Sequence, residues 1–389
     1  MSGQVFKRGV RRAGHVSTLP AIKEARGHLM VGSDAMSPVF LLISIVCGAA
    51  ALGPAAPLLW LGVQRSRKSL SWESPSDCVR AARTGVLAPV QKAACKANLA
   101  LMPVLSSASR RVAEACQQVF RTHRWNCSSV EKAPNFGQDL LRGTREQAYV
   151  SALSSAGLAV GVARACAEGR IRVCGCGRPS PREPPPADFS WGGCADDVGF
   201  GVRAAKAFSS EPFDRKKFAG DVAVRMHRHN SRAGWRAVRD SQRVQCKCHG
   251  VSGSCEVKTC WHALPPLLEV AQKLKLRHRD AEEVRPVMVG RGTKLLPATN
   301  ARFNKDDLVY REQSPDYCVY DPKTGSEGTK GRQCNSTATD SFGCEAMCCS
   351  RGFLTTWVET EERCNCKFQR CCYVTCDVCK WRTNLNLCL

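Results

Sequence analysis

Acidic residues are the scarce class in this chain of 389 residues: 34 Asp and Glu stand against 57 Lys and Arg, a formal net charge of +23. Residues 1–35 supply six basic and two acidic side chains, which leaves about +19 for the rest. So little negative charge makes a polyanion the natural electrostatic partner. Charge of either sign is missing from residues 38–63, "PVFLLISIVCGAAALGPAAPLLWLGV", whose one hydroxyl is Ser44. Its densest apolar part, Val39 to Cys47, has the length of a secretory h-region. The small residues Gly48 to Ala51, followed by Pro54 and Pro57, suit a cleavage region. The 26-residue run is long enough for a signal anchor, but the glycines and prolines of its second half argue against a spanning helix. A signal peptide is expected at 36–58. The unpatterned basic stretch 1–35 is either a long n-region or lies upstream of a true start at Met36, and it is set aside from fold reasoning.

Cysteine, by contrast, is abundant. There are 25, and twelve fall between Cys318 and Cys388. This density marks a disulfide scaffold and an oxidising compartment, so a secreted protein is expected. A cytosolic zinc protein is the rival. Loss of Cys47 with the leader leaves 24, an even number. For a secreted basic chain the anionic partner is a sulfated glycosaminoglycan rather than nucleic acid. Arg170–Arg172, Arg215–Lys217 and "KLKLRHR" at 273–279 are the candidate clusters; a merely soluble basic surface is the plainer reading.

From Cys78 to about Asp240 the pattern is helical. Residues 95–120 carry apolar side chains at three-to-four spacing, with Pro103 as a boundary or kink. Residues 143–169 open with Thr144, whose capping-box partner is Gln147, and close at Gly169. Ala, Val and Leu on most faces predict a central, buried helix. Residues 213–240 read as one or two more exposed helices, and 177–197 as a proline-rich loop. A short helix is expected at 264–278. Residues 283–312 lack cysteine and show no period, which suits a linker. From about 313 to 389 a second, small domain depends on its cysteines as staples.

Two cysteine groups share a geometry. In Cys246, Cys248, Cys255, Cys260, the C-x-C places both sulfurs on one face of a strand. Nested pairing, 246 with 260 and 248 with 255, closes a hairpin whose tip lies between Val251 and Ser252, with one bulge or turn absorbing the odd return spacing. Cys364, Cys366, Cys376 and Cys379 repeat the device, 364 with 379 and 366 with 376. Its tip holds the vicinal pair Cys371–Cys372. Their Cα atoms lie about 3.8 Å apart across a trans peptide, below the usual disulfide range of roughly 4.4 Å or more. They form either a strained bond or two separate long-range bridges.

Ser252 at the first tip invites four readings. A nucleophile is disfavoured, because Ser254 stands where G-x-S-x-G requires glycine and no carboxylate is suggested beside His249. A zinc knuckle from the C-x-C and His249 is disfavoured in a secreted chain. The others are a structural turn built on Gly250 and Gly253 and a modification site on a projecting, braced loop.

"CKCHGVSGSC" at 246–255 with the following "VKTCW" resembles the signature of the Wnt family of secreted lipid-modified ligands. "RWNCSS" (124–129), "GTRE" (143–146), "WGGCADD" (191–197), "SPDYC" (314–318) and "ERCNCKFQRCCYVTCDVC" (362–379) agree. The resemblance covers about Cys78 to Cys388, and "RWNCSS", "APN" and "RGTRE" look closest to the branch numbered eleven. It implies a monounsaturated fatty acyl ester on Ser252, added by a membrane O-acyltransferase, and export by a carrier receptor. It also implies that the acyl chain binds the cysteine-rich domain of Frizzled receptors. Contact residues would be His249, Gly250, Val251, Ser252 and Gly253 on the first finger. On the second they would be Lys367, Phe368, Gln369, Arg370, Cys371, Cys372, Tyr373 and Val374. The same resemblance implies Cys116–Cys127, Cys166–Cys174, Cys176–Cys194, Cys318–Cys349, Cys334–Cys344 and Cys348–Cys388, a bonded Cys371–Cys372, and leaves Cys78 with Cys95. It agrees with the nested pairs 246–260, 248–255, 364–379 and 366–376. Sequons at Asn126 and Asn335 fit a secreted glycoprotein. Arg370 departs from the family, which usually carries an aromatic residue there.

The expectation is an α+β protein. Residues 59–282 form a helical-bundle domain bearing the lipidated β-hairpin 246–260, 283–312 a linker, and 313–389 a small cysteine-rich β-hairpin domain. It is a non-enzymatic ligand without cofactor or metal, in the extracellular space and matrix. Its partners would be Frizzled, an LDL-receptor-related or other co-receptor, and heparan sulfate proteoglycans, not nucleic acid. The rival is an extracellular matrix or glycosaminoglycan-binding structural protein.

Overall fold

The computed structural model describes residues 55–68, 70–177, 190–214, 218, 220–290, 292–299 and 302–389. The 1–35 extension, the leader up to Pro54, most of the proline-rich loop and the Arg215–Lys217 cluster lie outside the described residues. In chain order the helices are α1 (Pro75–Arg83), α2 (Gln91–Ala97), α3 (Met102–Phe120), α4 (Arg145–Ala167), α5 (Val198–Ser209), α6 (Val222–Arg239), α7 (Leu267–Arg279) and the single turn α8 (Cys344–Met347). The strands are β1 (Ser190–Trp191), β2 (Arg243–Cys248), β3 (Lys258–Ala263), β4 (Glu282–Val289), β5 (Gly292–Pro297), β6 (Val309–Tyr310), β7 (Tyr320–Asp321), β8 (Ser326–Glu327), β9 (Gln333–Cys334), β10 (Phe353–Gln369) and β11 (Tyr373–Cys388).

Helix α4 is the axis of the helical part. Thr144 caps it: its hydroxyl accepts from Gln147 N at 3.2 Å, while the Gln147 side chain accepts from Gly143 N at 2.6 Å. The reciprocal bond reaches one residue further back than a strict capping box requires. Among the described residues α4 alone is long and apolar enough to cross a membrane, and 89% of its most apolar window is buried inside the protein. It is therefore a core helix, surrounded by α3, α5, α6 and α7. Glycine sets the spacing of two neighbours. A Cβ on Gly201 of α5 would lie 2.3 Å from Ala159 O, and one on Gly234 of α6 would lie 2.1 Å from Ala152 O. Pro103 sits in the first turn of α3, where its missing N–H costs nothing.

Three expectations change. Ala55, Leu58, Trp60, Leu61 and Val63 belong to the main core, and Trp60 packs edge-on against Phe208. The folded domain thus begins before residue 59, because these apolar residues fill the space beside α3. Residues 213–240 hold one helix, α6, with an apolar face buried against α4. Residues 198–209 form α5 despite Gly199 and Gly201. The supposed linker contains a hairpin, β4 with β5, and β6 joins β4 in parallel. Only Val284 and Thr293 of β4 and β5 are fully buried, so no alternating run of apolar core residues announces it. Asn230 of α6 pins β6 to the helices through Val309 N and O, at 2.9 and 3.0 Å.

The cysteine-rich part is joined to the helices. The Arg332 guanidinium donates to the carbonyls of Arg124, His123 and Arg121 at 2.7, 2.7 and 3.0 Å, and Arg124 Nε donates to Ala346 O at 2.7 Å. Cys334, Cys344, Met347, Cys348 and Cys388 make its small core. The structure contains the disulfides Cys78–Cys95, Cys116–Cys127, Cys166–Cys174 and Cys176–Cys194 in the helical part. It contains Cys318–Cys349, Cys334–Cys344 and Cys348–Cys388 in the second.

Candidate functional site

Two braced hairpins project from this frame. In the first, the β2–β3 ladder runs unbroken from Arg243 opposite Ala263 to Cys248 opposite Lys258. Cys246 lies opposite Cys260 and is bonded to it; Cys248 is bonded to Cys255. The odd residue of the return spacing is absorbed in the loop, not in a bulge. His249 N donates to Val257 O and Gly250 N to Ser254 O, both at 2.8 Å. A Cβ on Gly250 would fall 1.9 Å from Ser254 Oγ, so only glycine closes this turn.

Ser252 sits at the tip in the left-handed region, φ 57° and ψ 23°, followed by Gly253 at φ 80°. This conformation turns the chain sharply and thrusts residues 251–253 outward. Val251 is 88% exposed, and His249, Ser252 and Gly253 are exposed with it. Ser252 makes no side-chain hydrogen bond among the described residues. No base or carboxylate therefore activates it as a nucleophile, and no acceptor ties it into the turn.

The second hairpin is much longer than its cysteines suggest. β10 and β11 run 17 and 16 residues, antiparallel from Phe353 opposite Cys388 to Gln369 opposite Tyr373. Cys364–Cys379 and Cys366–Cys376 brace the distal half, and the register shifts between Cys364 and Lys367. Phe368, Tyr373 and Val374 are 73%, 59% and 58% exposed around a tip made by Arg370, Cys371 and Cys372. The bond implied between Cys371 and Cys372 is not formed. Both are exposed free thiols with sulfurs 3.4 Å apart, at φ 61° and 81°. Adjacent Cα atoms on a trans peptide are too close for ordinary disulfide geometry.

Three buried sulfurs, of Cys334, Cys348 and Cys388, lie within 4.8 Å of one another. Each is already in a disulfide and has no thiolate to offer a metal. Asn335 is half-buried and its Oδ1 accepts from Thr337 N and Oγ1 at 3.0 and 2.9 Å. Asn126, also half-buried, accepts from Ser128 N beside the buried Cys127. The strongly perturbed groups lie inside the frame, away from both tips. Burial pushes Asp139 up to about 6 and His227 down to about 4.

Residues 83–389 match the profile of the Wnt family. The chain belongs to the Wnt family. It is 40% identical over 353 residues to protein Wnt-11b-1 of Xenopus tropicalis, covering 90% of this chain and 98% of that protein. It is 39% identical over 354 residues to protein Wnt-11 of Coturnix japonica, covering 90% and 99%. A chain of the solved complex of human WLS with WNT8A superimposes with a TM-score of 0.54 at 31% identity, covering 76% of this chain and 96% of that one. The mixed helical and sheet architecture with a cysteine-rich end is thus the Wnt fold. Within it, the serine-bearing loop and the long ribbon are the two exposed, cysteine-braced projections described above.

Proposed function

We propose that this Wnt-family chain is a secreted signalling ligand that carries a fatty acyl ester on Ser252 and binds the cysteine-rich domain of a Frizzled receptor. The observation that carries the reading is the Ser252 tip: exposed, at φ 57°, beyond two nested disulfides, with no hydrogen-bond partner for its hydroxyl among the described residues. Such a hydroxyl can enter the active site of a membrane O-acyltransferase without local unfolding. Ser252 Oγ would attack the carbonyl of an acyl thioester. The ester C–O bond forms, the C–S bond breaks, and the hydroxyl proton leaves with the thiol. A chain of about sixteen carbons brings on the order of 10 kcal/mol of gross driving force for burial, yet anchors only marginally to a membrane. That balance permits transfer from a carrier to a receptor groove. The similarity to WNT8A solved with WLS supports WLS as the carrier.

The second ribbon supplies shape. Lys367 to Val374 would meet the opposite side of the receptor domain, with Arg370 giving this tip a charge in place of an aromatic surface. An LDL-receptor-related or other co-receptor completes the signalling assembly, and Asn335 and Asn126 carry glycans. Intact-peptide mass spectrometry across Cys248–Cys255 tests the reading directly: an acyl ester is expected on Ser252. Ser252→Ala should be retained in cells and silent in a receptor assay. Normal export and signalling by that variant would refute the lipid mechanism and leave the matrix-protein reading in its place.

A further inference from the structure

Many of the apolar side chains left exposed on this chain lie on the β10–β11 ribbon, and they follow its pleat. On one face Glu359 pairs with Arg382 and Glu361 with Lys380, and Arg382 also lies 4.7 Å over the Trp357 ring. That face largely satisfies its own charges. On the other, Leu354 and Val358 of β10 stand with Trp381 of β11, and the three are 59%, 42% and 55% exposed. The half-buried Leu385 and Leu387 continue this face to the root. An antiparallel sheet with such alternation normally packs its apolar face against something. Here that face is largely open to solvent.

The edge beside it is open as well. In the sheet order β10–β11–β9, β10 has a neighbour on one side only. Outside its ladder with β11, no backbone group from Phe353 to Glu359 makes a hydrogen bond among the described residues. Strand edges are usually blunted by charge, proline or a bulge. The distal part of β10 has such defences in Glu359, Glu361, Glu362 and Arg363, followed by the register shift after Cys364. The root has none. "FLTTWV" at 353–358 is a run of strand formers without charge, proline or glycine, a composition that pairs readily with its own kind.

We propose that a second copy of this chain pairs antiparallel along the open edge at 353–359, giving the four-stranded sheet β11–β10–β10–β11. Opposed residues of an antiparallel pair share a face, so the twofold axis passes through one residue rather than between two. Centring it on Thr356 keeps the whole contact within β10. Leu354 then faces Val358 of the second copy, Thr355 faces Trp357, and the one charge in the contact, Glu359, faces Phe353. No like charges meet, on a chain whose formal net charge is +23. The segment is thus its own complement, and the two apolar faces fuse into one surface. The contact is isologous and uses up both β10 edges, so it closes as a dimer and does not propagate. Seven residues a side span about 23 Å, short of a standard interface, so the dimer is a weak one. With the axis at the root, the two tips point in opposite directions, about 90 Å apart at the usual strand rise. The Ser252 loop takes no part, and the inference does not depend on the acyl ester.

Sedimentation equilibrium of the full-length secreted protein, in detergent micelles that sequester any acyl chain, measures the association. A monomer–dimer equilibrium in the micromolar range is expected. Thr356→Lys and Thr356→Glu each set two like charges opposite one another at the axis, and each should weaken pairing at least about tenfold. An equimolar mixture of the two variants should return to within about threefold of the wild type, which misfolded variants could not do. Asn384→Lys, on β11 away from the edge, should dimerise like the wild type. The proposal fails if the wild type stays monomeric at about 100 µM, if Thr356→Lys pairs as well as the wild type, or if the mixture stays monomeric. Ser252→Ala, recovered from cells, should dimerise unchanged, so a failure of the acyl reading and a failure of this one give different results.

Discussion

Asp139 shows how one buried carboxyl ties the two halves of the chain together. Its Oδ2 accepts from Trp125 Nε1 at 2.9 Å, its backbone N donates to Thr324 O at 3.2 Å, and a Cβ on Gly325 would lie 2.2 Å from its Oδ1. Burial raises its pKa to about 6, against the hydrogen bond from Trp125, which lowers it. Because the folded pKa lies above the unfolded one, the contribution to stability is fully present below about pH 4. It is lost as pH rises to about 6, a change of up to about 3 kcal/mol. Asp139→Asn keeps the oxygen that receives Trp125 but cannot ionise. Its thermal midpoint should vary less between pH 4 and 6 than that of the wild type, as scanning calorimetry at a series of pH values would show. The same residue scale explains why Ser252 was legible: glycines on either side and nested cysteines name a tip without any core. It also explains what was not. Nothing in "QRCCYV" says whether adjacent thiols bond, because that depends on φ and ψ that neighbouring side chains do not dictate.

At the scale of elements, the helices of the bundle approach through missing side chains. Gly234→Ala drives a methyl carbon into Ala152 O and must push α6 off α4, a cost of about 3 kcal/mol at the upper end of overpacking. Secreted yield and denaturant midpoint should both fall, while the same change at Gly169, where nothing lies within 4 Å of a Cβ, should cost less. The first hairpin behaves as a separate unit. Cys248→Ala/Cys255→Ala removes the inner brace at about 2 kcal/mol for so short a loop. The bundle should keep its helical circular dichroism, but limited proteolysis should now cut within 249–257 and the ester yield should drop. Legibility differs sharply between elements. α4 is apolar all round and capped at Thr144, so its place in the core follows from composition. α5 is not singled out within the helical stretch, because its Gly201 serves close packing against Ala159 rather than an apolar repeat. β4 and β5 bury only Val284 and Thr293 fully, too few apolar core positions to announce two strands.

For the whole molecule, one side chain carries several of the bonds between bundle and cysteine-rich part. Arg332 alone satisfies three carbonyls across it. Arg332→Met keeps much of the apolar stem and strands those acceptors, a cost of about 2–3 kcal/mol. Hydrogen exchange should speed up along residues 121–125 and in β9, with α4 unchanged; equal protection in both proteins would show that the joint does not depend on this residue. A boundary near residue 313 could be guessed from cysteine density, but that density says nothing of the joint, which draws on backbone carbonyls and on pairs such as Lys132 with Glu327.

The β10–β11 ribbon extends about 50 Å at the usual rise of a strand, and among the described residues it is anchored laterally only near its root, by β9 and Cys348–Cys388. A two-stranded strip of that length behaves as a cantilever: small angular fluctuations at the clamp become excursions of several ångströms at Cys371. The short serine-bearing loop has no such lever arm. If both arms meet one partner, as proposed above, the loop offers a fixed position and the ribbon offers reach, its free tip searching an arc until its own contact closes. On that reading, stiffness distributed unequally between two arms of one protein would set the order in which they arrive.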